Sequence, residues 1–234
     1  MKMLELFAGT HVMADTFKEH GWEAYTVDWD PSTSVDLHAD IGQLSVVDVI
    51  KLCDGFPDVI WASPDCTTFS IAAISHHRMK EYDGNLSPVS EYAKRCDEID
   101  VHVLRLIEEI GVRKRMMGYR DPLYYFIENP RGGMRKMRWM QDRPRYTVTY
   151  CQYGDTRMKP TDIWTNHPDP KFKPMCRNGA PCHERAPRGS KTGTQGINGK
   201  LDRARVPKAL CEHIVQICED PGAPSLNIRQ ARLE

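Results

Sequence analysis

Short apolar runs alternate with segments of helical period along most of this chain, and this rhythm is what most constrains its fold. The pattern predicts strands at residues 3–7, 24–27, 58–62, 123–127, 146–151 and 162–165. It predicts helices at residues 12–20, 46–53, 89–110 and 206–218, of which the first and third end at Gly21 and Gly111. Strands separated by helices are typical of βαβ units, so we predict an α/β fold with a mainly parallel sheet.

The chain has 234 residues, of which 40% are hydrophobic and 27% charged, as expected of one globular domain. We assign residues 1–220 to that domain and the polar, weakly patterned residues 221–234 to a C-terminal tail. Residues 166–202 are rich in proline and glycine, so we expect a loop-rich insertion there. Lys and Arg number 32, as do Asp and Glu, and any charge that attracts nucleic acid must therefore be local.

The chain starts with an apolar segment that is typical of a strand and leaves no room for a signal peptide. No apolar run approaches the length of a membrane span. We therefore expect a cytoplasmic, monomeric protein with no membrane partner. The eight cysteines form no paired framework, which favours reduced thiols over disulfides.

Polar residues follow several of the predicted strands. Gly9, in LELFAGT, follows the first, and such a turn lets a ligand approach the backbone at the carboxyl end of a strand. Asp28 and Trp29 follow the second, where a carboxylate can accept from ribose hydroxyls and an indole can stack on adenine. Asp40, with Ile41, supplies another acidic strand end. Taken singly, an ordinary turn and a packing tryptophan explain these residues equally well.

Two further strand ends carry side chains that can react. Cys66 lies in SPDCTTFS, in a loop after the strand at residues 58–62, where nearby helix termini can lower the pKa of a thiol. Glu128 lies in FIENP, directly after the strand at residues 123–127. Taken alone, Cys66 could equally be an inert buried thiol, and Glu128 could be a solvated glutamate in a loop.

Together these segments resemble the cytosine-5 DNA methyltransferases, whose motifs occur in this order and approximate spacing. The resemblance covers roughly residues 3–165, with a looser match near Val206 and Pro207. It implies a doubly wound, mainly parallel sheet of the S-adenosylmethionine-dependent methyltransferase type. It also implies S-adenosylmethionine as cofactor, held by residues at the strand ends: Phe7, Gly9, Thr10, Asp28, Trp29, Asp40, Ile41 and Pro64.

The resemblance further implies the chemistry of four residues. Cys66 matches the family's catalytic cysteine, which would add to carbon 6 of cytosine. Glu128 matches the glutamate of the family's ENV motif and would hydrogen-bond ring N3 and the exocyclic amine. Arg157 and Lys159 look like the basic pair that holds the O2 side of the base. Because carbon 6 is hidden in duplex DNA, the target cytosine must flip out of the stack.

Four residues depart from the glycine, proline, glutamine and valine usual in the family: His11, Asp65, Thr67 and Pro130. A carboxylate at Asp65 would raise the pKa of the Cys66 thiol unless it faces away or is paired. The family's target-recognition domain is also missing, because only residues 166–202 lie in its place. We therefore expect a compact enzyme, similar to solitary phage or bacterial ones, that reads a short site partly through phosphate contacts.

Basic residues crowd two segments near these motifs. The first holds six of them: Arg131, Arg135, Lys136, Arg138, Arg143 and Arg145. The second is the loop after Cys66: His76, His77, Arg78 and Lys80. Both segments can contact DNA phosphates, and for the first a solvated helix face is an equal alternative.

Three residues in CRNGAPCHE loosely resemble a zinc knuckle, namely Cys176, Cys182 and His183, with Cys151 or His167 as a conceivable fourth ligand. The usual pattern has two to four residues between paired cysteines, and this spacing is irregular. We therefore expect no metal site, although a structural zinc would help to order a segment poor in apolar residues.

Two other functions stay open at this point. A methyltransferase acting on RNA or on an exocyclic amino group is one, but amino methyltransferases usually place a proline pair and an aromatic residue where Cys66 stands. A catalytically silent DNA-binding or cofactor-binding protein is the other, and retention of both Cys66 and Glu128 argues against it. Whether the modification belongs to a restriction-modification system is not decided by the sequence.

Overall fold

The computed structural model describes residues 1–185 and 199–219. Its strands are β1 Lys2–Leu6, β2 Glu23–Asp28, β3 Leu37–His38, β4 Val59–Ala62, β5 Arg78–Lys80, β6 Leu86–Pro88, β7 Tyr124–Pro130, β8 Arg145–Thr149 and β9 Pro160–Thr165. Its helices are α1 Val12–Glu19, α2 Val46–Leu52, α3 Ile74–His77, α4 Glu91–Met116, α5 Arg138–Gln141, α6 Lys200–Ala204 and α7 Lys208–Glu219. The predicted tail, residues 221–234, and residues 186–198 of the predicted insertion lie outside the described residues.

Seven strands form one sheet in the order β3-β2-β1-β4-β7-β9-β8. The pairs from β3 through β7 are parallel, and β9 runs antiparallel to both of its neighbours. The predicted α/β fold with a doubly wound, mainly parallel sheet is therefore confirmed. The chain winds outward in opposite directions from β1 and β4, and their adjacent carboxyl ends form the kind of crevice in which such sheets bind ligands.

The sheet has a hydrophobic core on each face, because successive strand residues point to opposite sides. Leu4 of β1 packs in one core with Ile107 of α4. Met3 packs in the other with Phe17 of α1 and Leu210 of α7. All five side chains are almost fully buried, and each contributes about 1.5–3 kcal/mol to stability.

The long helix α4 begins at the Ser90 cap, whose side-chain oxygen accepts from the backbone of Ala93. It continues through Gly111 to Met116, so the prediction that Gly111 ends this helix is wrong. A glycine inside a helix costs only about 1 kcal/mol relative to alanine. Lys114, one turn further, anchors the helix by donating to Asp58 Oδ1 at 2.6 Å in a buried ion pair.

Strand β7 is longer than its apolar run, because it continues through Glu128 to Pro130 instead of ending at Ile127. Its last residues pair with β9, with Glu128 opposite Ile163 and Pro130 opposite Thr161. Glu128 is therefore held within a sheet and not in a loop. The short strands β3, β5 and β6 were not predicted, since each has three residues or fewer.

Residues 166–185 form neither helix nor strand apart from one isolated bridge between Arg157 and Glu184. Helix α6 begins inside the predicted insertion and ends two residues beyond it. No helix in the described part of the chain is both long and apolar enough to cross a membrane.

Candidate active site

The turn between β1 and α1 is tightly folded at the carboxyl end of β1. Phe7 and His11 both have positive φ, 61° and 55°, in the left-handed region that non-glycine residues enter at a cost of about 1–2 kcal/mol. His11 N donates to Ala8 O at 2.7 Å, which closes the turn around Gly9 and Thr10. The four residues from Phe7 to Thr10 thus lie at the crevice where the sheet order reverses.

Sequence reasoning missed Glu5, a buried carboxyl beneath this turn. Its Oε2 accepts from Ala14 N at 2.8 Å in the first turn of α1. Burial raises the pKa of Glu5 to about 8, and the hydrogen bond from Ala14 opposes that shift. The single acidic residue within the apolar run LELF was the available signal.

The end of β2 presents Asp28 and Trp29 side by side. Asp28 is buried, and its Oδ1 accepts from Asp30 N at 2.9 Å. Within residues 1–185 and 199–219, this is the only hydrogen bond to the Asp28 carboxylate. The Trp29 side chain is 66% exposed, so it is not the packing residue that its alternative interpretation required.

Asp40 follows β3 and begins a short 3₁₀ helix, with Oδ1 accepting from Gly42 N at 3.0 Å. Its Oδ2 is paired with Arg95 of α4, so a ligand at Asp40 would compete with that ion pair. Ile41 is buried in the core beside it. The structure thus places one buried carboxylate and two exposed side chains at this edge, and we call Asp28, Trp29 and Asp40 the cofactor edge.

Cys66 follows β4 and the buried Pro64, directly before a 3₁₀ helix at Thr67–Phe69. Burial raises the pKa of the Cys66 thiol to about 11. The negative charges of Glu128 and Asp65 contribute to this rise in pKa, whereas the positive charge of Lys159 opposes it. Such coupling requires nearby charges, so the fold brings together residues that lie up to 93 positions apart in sequence.

Glu128 is only 4% exposed, and its Oε1 accepts from the Tyr150 hydroxyl at 2.9 Å. Burial raises the pKa of Glu128, while Lys159 and hydrogen bonds from Tyr150 and Ser63 oppose the shift. Sequence reasoning did not single out Tyr150, which is fully buried at the end of β8. Cys66, Glu128, Lys159 and Tyr150 form what we call the base pocket.

Lys159 lies at the edge of the base pocket with its Nζ 4.5 Å from the centre of the Tyr150 ring. The same Nζ donates to Arg203 O at 2.9 Å. Burial lowers the pKa of Lys159, and the charge of Glu128 opposes that shift. Lys159 therefore carries the positive charge that acts on Glu128 and Cys66 together.

Arg157 takes a different direction, although it is two residues from Lys159. Its Nε contacts both carboxylate oxygens of Asp155, at 2.9 and 3.1 Å, and its Nη1 donates to Asp202 O at 3.2 Å. The guanidinium is buried in these contacts. The structure thus separates the predicted basic pair, with Lys159 at the base pocket and Arg157 fastening the turn to α6.

One side-chain and one backbone hydrogen bond hold the loop that carries Cys66 against β7 and the turn after it. Asn129 Nδ2 donates to Pro64 O at 3.1 Å, and Gly133 N donates to Phe69 O at 2.7 Å. A Cβ on Gly132 would lie 2.5 Å from Phe69 O, so only glycine permits this approach. The Cys66 loop and the strand of Glu128 are therefore fixed as one unit.

Asp65, the departure beside Cys66, is paired but keeps its charge. Its Oδ1 accepts from Thr67 N at 2.6 Å and its Oδ2 from the Tyr92 hydroxyl at 2.8 Å. The negative charge of Asp65 still contributes to the raised pKa of the Cys66 thiol. The hydrogen bonds that Asp65 accepts therefore do not remove its effect on the pKa of Cys66.

The predicted phosphate contact is wrong for Arg78, which is 4% exposed. Its Nη2 lies 2.7 Å from Asp97 Oδ1, its Nε donates to Thr68 O at 3.0 Å, and its guanidinium lies 4.0 Å from the centre of the Phe69 ring. Arg78 therefore anchors the Cys66 loop to α4 and is closed to DNA.

The other basic cluster has six members, of which the exposed Arg131 lies with Nη1 3.9 Å from Met175 Sδ. The other five divide into two groups. Three of them are in ion pairs: Arg135 with Asp162, Arg138 with Asp83 and Arg143 with Glu108. Lys136 and Arg145 are exposed and form no ion pair with any residue that the structure describes. Lys136 and Arg145 are therefore better placed to meet phosphates than Arg135, whose partner Asp162 is fully buried.

The structure also gathers Cys151, Cys176, Cys182 and His183, from which we expected no metal site. Their ligand atoms all lie within 4.8 Å of one another. Cys151 and not His167 completes the set, because His167 packs against Tyr124 instead.

No family model matches this chain. The chain is 28% identical over 232 residues to a Frog virus 3 (isolate Goorha) protein named "Probable DNA (cytosine-5)-methyltransferase", covering 93% of this chain and 100% of that one. The relative is thus equally short.

Two solved structures resemble the chain more distantly. The S. pombe Dnmt2 methyltransferase has a TM-score of 0.46 at 14% identity and covers 70% of this chain and 48% of its own. A Spodoptera frugiperda DNMT2 carrying three alanine substitutions has a TM-score of 0.42 at 17% identity and covers 76% of this chain and 53% of its own. The chain spans about half the length of these two structures.

Proposed function

We infer that this chain belongs to the cytosine-5 DNA methyltransferases and transfers a methyl group from S-adenosylmethionine to carbon 5 of cytosine in DNA. The resemblance predicted from the sequence is confirmed by the Frog virus 3 relative, which the chain matches over that protein's whole length. The observation that carries the function is the base pocket, where a thiol, a carboxyl and an ammonium from three separate segments shift one another's pKa.

The cofactor edge fits S-adenosylmethionine in its chemistry. Asp28 has one carboxylate oxygen hydrogen-bonded by the described residues, and the other suits a ribose hydroxyl. Trp29 presents an exposed indole on which adenine can stack. The strained turn from Phe7 to Thr10, together with Pro64, would line the remainder of the site. When bound, the cofactor supplies an electrophilic methyl group.

Cys66 acts as the nucleophile in this proposal. Its thiol must give its proton to solvent as the Sγ bond to carbon 6 forms, because a pKa of about 11 leaves little thiolate at neutral pH. The π electrons of the carbon 5–carbon 6 bond shift toward the ring nitrogen N3, and carbon 5 becomes nucleophilic. After methylation, carbon 5 loses its proton to solvent, and the electrons of that bond restore the carbon 5–carbon 6 double bond as the Cys66 thiolate leaves carbon 6. N3 returns its proton to Glu128, which restores the aromatic ring.

Glu128 stabilises the charge that develops on N3. Its raised pKa favours the protonated carboxyl, which can donate to N3 while its other oxygen accepts from the exocyclic amine. Tyr150 keeps the carboxyl in place through its 2.9 Å hydrogen bond. Lys159 is the residue that we assign to the O2 side of the base, and Arg157 positions the turn that carries it.

The target base has to leave the DNA stack to reach Cys66, since carbon 6 is hidden in the stacked duplex and Glu128, which would contact the same base, is buried. The exposed Lys136 and Arg145 would contact backbone phosphates, which makes binding dependent on salt. The single domain at residues 1–220, the monomeric state, the cytoplasmic location and the short recognition site stay predictions.

Two measurements test this function. DNA from cells expressing the protein should contain 5-methylcytosine by base-conversion sequencing, and cells expressing Cys66→Ala should lack it. Purified protein should form a covalent adduct with 5-fluorocytosine DNA when cofactor is present, because fluorine cannot leave as the proton does. Methylation by Cys66→Ala at the normal rate would refute the covalent mechanism. Methylation found only in RNA would refute the assignment of DNA as the substrate.

A further inference from the structure

We propose that Cys151, Cys176, Cys182 and His183 bind one structural zinc ion, which fastens the segment after β9 to the turn that carries Lys159. The four ligand atoms lie within 4.8 Å of one another although Cys151 is 25 residues from Cys176. The proposal rests on these four residues alone and does not depend on methyl transfer.

The distances between the ligand atoms approach those of a tetrahedral site. His183 Nδ1 lies 3.6 Å from the sulfurs of both Cys176 and Cys182. Bonds of about 2.3 Å to sulfur and about 2.0–2.1 Å to nitrogen place such atoms about 3.6 Å apart around tetrahedral zinc. The two sulfurs lie 3.2 Å apart and would separate slightly on binding. This distance is also well beyond a disulfide bond of about 2.05 Å.

The ligand chemistry favours zinc in a structural role. Three thiols and one imidazole make up the Cys₃His set, which zinc binds with no open position for a substrate. Gln152 Nε2 lies 3.7 Å from Cys182 Sγ and can donate to a bound thiolate. Cys182 is exposed, so an ion can reach the set from solvent.

The surrounding backbone shows what the ion would hold together. Cys151 lies in the 3₁₀ turn that follows β8, next to Tyr150 of the base pocket. Cys176 N donates to Thr149 Oγ1 at 2.9 Å, and Glu184 N donates to Thr156 O at 2.8 Å. The segment is thus already hydrogen-bonded at both ends to the hairpin that leads to Lys159.

The segment itself has little else to order it. Residues 166–185 form neither helix nor strand apart from one bridge, and Cys176 is among their few buried apolar side chains. Metal binding can supply the free energy that orders such a segment. The zinc would therefore keep the turn between β8 and β9 rigid beside the target base.

The experiment measures zinc in the full-length protein, purified under reducing conditions and reconstituted with zinc alone. We expect about one zinc ion per chain by elemental mass spectrometry. Cys182→Ser should weaken zinc binding by more than about 100-fold against a competing chelator, since even loss of a residue that only supports the ligands costs 10–100-fold. Cys218→Ser, which removes a thiol outside the set, is the matched control and should keep the ion. His183→Cys should retain zinc with four thiolates.

Cobalt substitution gives an independent readout of the ligands. Cobalt in this set should show tetrahedral visible bands with thiolate charge transfer, and Cys182→Ser should diminish them. A wild-type protein that stays free of zinc after reconstitution would overturn the proposal. So would equal zinc loss in Cys218→Ser, or a mass two hydrogens lower that maps to a Cys176–Cys182 disulfide. Zinc retained in Cys66→Ala separates this site from methyl transfer.

Discussion

The base pocket and the cofactor edge lie at the same end of the sheet but differ in how fully the chain satisfies their polar groups. In the base pocket, Glu128 and Lys159 are held by Tyr150 and by the backbone of Arg203. At the cofactor edge, Trp29 is largely exposed and Asp28 has a single intramolecular hydrogen bond among the described residues. Under the proposed function, the chain orients the reacting groups in advance, whereas the bound cofactor completes the polar contacts of the cofactor edge.

Removing the ammonium of Lys159 should give the largest effect, because it lies in the preorganised pocket. We expect Lys159→Met to lower kcat by about 10²–10³-fold, as for loss of one oriented donor, with S-adenosylmethionine affinity unchanged. Steady-state kinetics and calorimetry measure the two quantities.

Lys173 provides a matched control for Lys159, since its Nζ also lies over a tyrosine ring, 4.9 Å from the centre of Tyr153. Lys173→Met should turn over normally. Equal losses in the two variants would mean that Lys159 acts only by supporting the fold.

Substitutions at the cofactor edge should change the affinity for S-adenosylmethionine and not kcat. Asp28→Ala should weaken S-adenosylmethionine binding by about 1.5–3 kcal/mol, the value of a hydrogen bond to a charged group. Isothermal calorimetry can compare it with Asp30→Ala, which removes a carboxylate two residues away. If both variants bind as the wild type does, the ribose lies elsewhere and the contrast between pocket and edge fails.

The buried Glu5 beneath the edge should make stability depend on pH. Its pKa is raised to about 8 from 4.5, so the folded state holds this proton more tightly than the unfolded state does. Its contribution is fully present below about pH 4.5 and is lost as the pH rises through about 8, by at most about 1.4 kcal/mol per pH unit.

Glu5→Gln should flatten this dependence, because the amide oxygen can still accept from Ala14 N and does not titrate. Urea unfolding between pH 5 and 8 measures the difference from wild type. Glu23→Gln, at an exposed site on β2, should leave the profile unchanged. A profile equally steep in Glu5→Gln would assign the dependence to other groups.

The smallest effect is expected from Asp65. Asp65→Asn removes a negative charge that raises the pKa of Cys66, so alkylation of Cys66 by iodoacetamide should be a few-fold faster near pH 8. Peptide mass spectrometry follows the rate. Tyr92→Phe removes the hydrogen bond to Asp65 but keeps its charge, and should not accelerate the reaction. A slower reaction in Asp65→Asn would show that its pairing, and not its charge, governs the thiol.

Strand ends were the most predictable part of the molecule. Apolar runs reveal parallel strands, and parallel strands in one sheet bring their carboxyl ends to a common edge. For this reason the positions of Cys66, Asp28 and the turn at Gly9 followed from the sequence. Glu128 was predicted to follow the strand at residues 123–127, and it lies within β7 because pairing with β9 extends that strand to Pro130.

The direction in which each side chain points could not be predicted from the sequence. Arg157 and Lys159 are both basic and cannot be told apart in the sequence. In the structure, Arg157 binds Asp155 and the backbone of Asp202. Lys159 instead lies over the Tyr150 ring and interacts with the charge of Glu128. Such outcomes depend on which neighbours the fold brings within a few ångströms.

The sequence by itself therefore determined the sheet and the residues that stand at its strand ends, because periodicity and strand ends are local properties. Tertiary structure decided the burial of Arg78 in the Cys66 loop and the gathering of Cys151 with Cys176 and Cys182. It also decided the pKa of Cys66, since desolvation and the charges of Glu128 and Lys159 exist only once distant segments pack together.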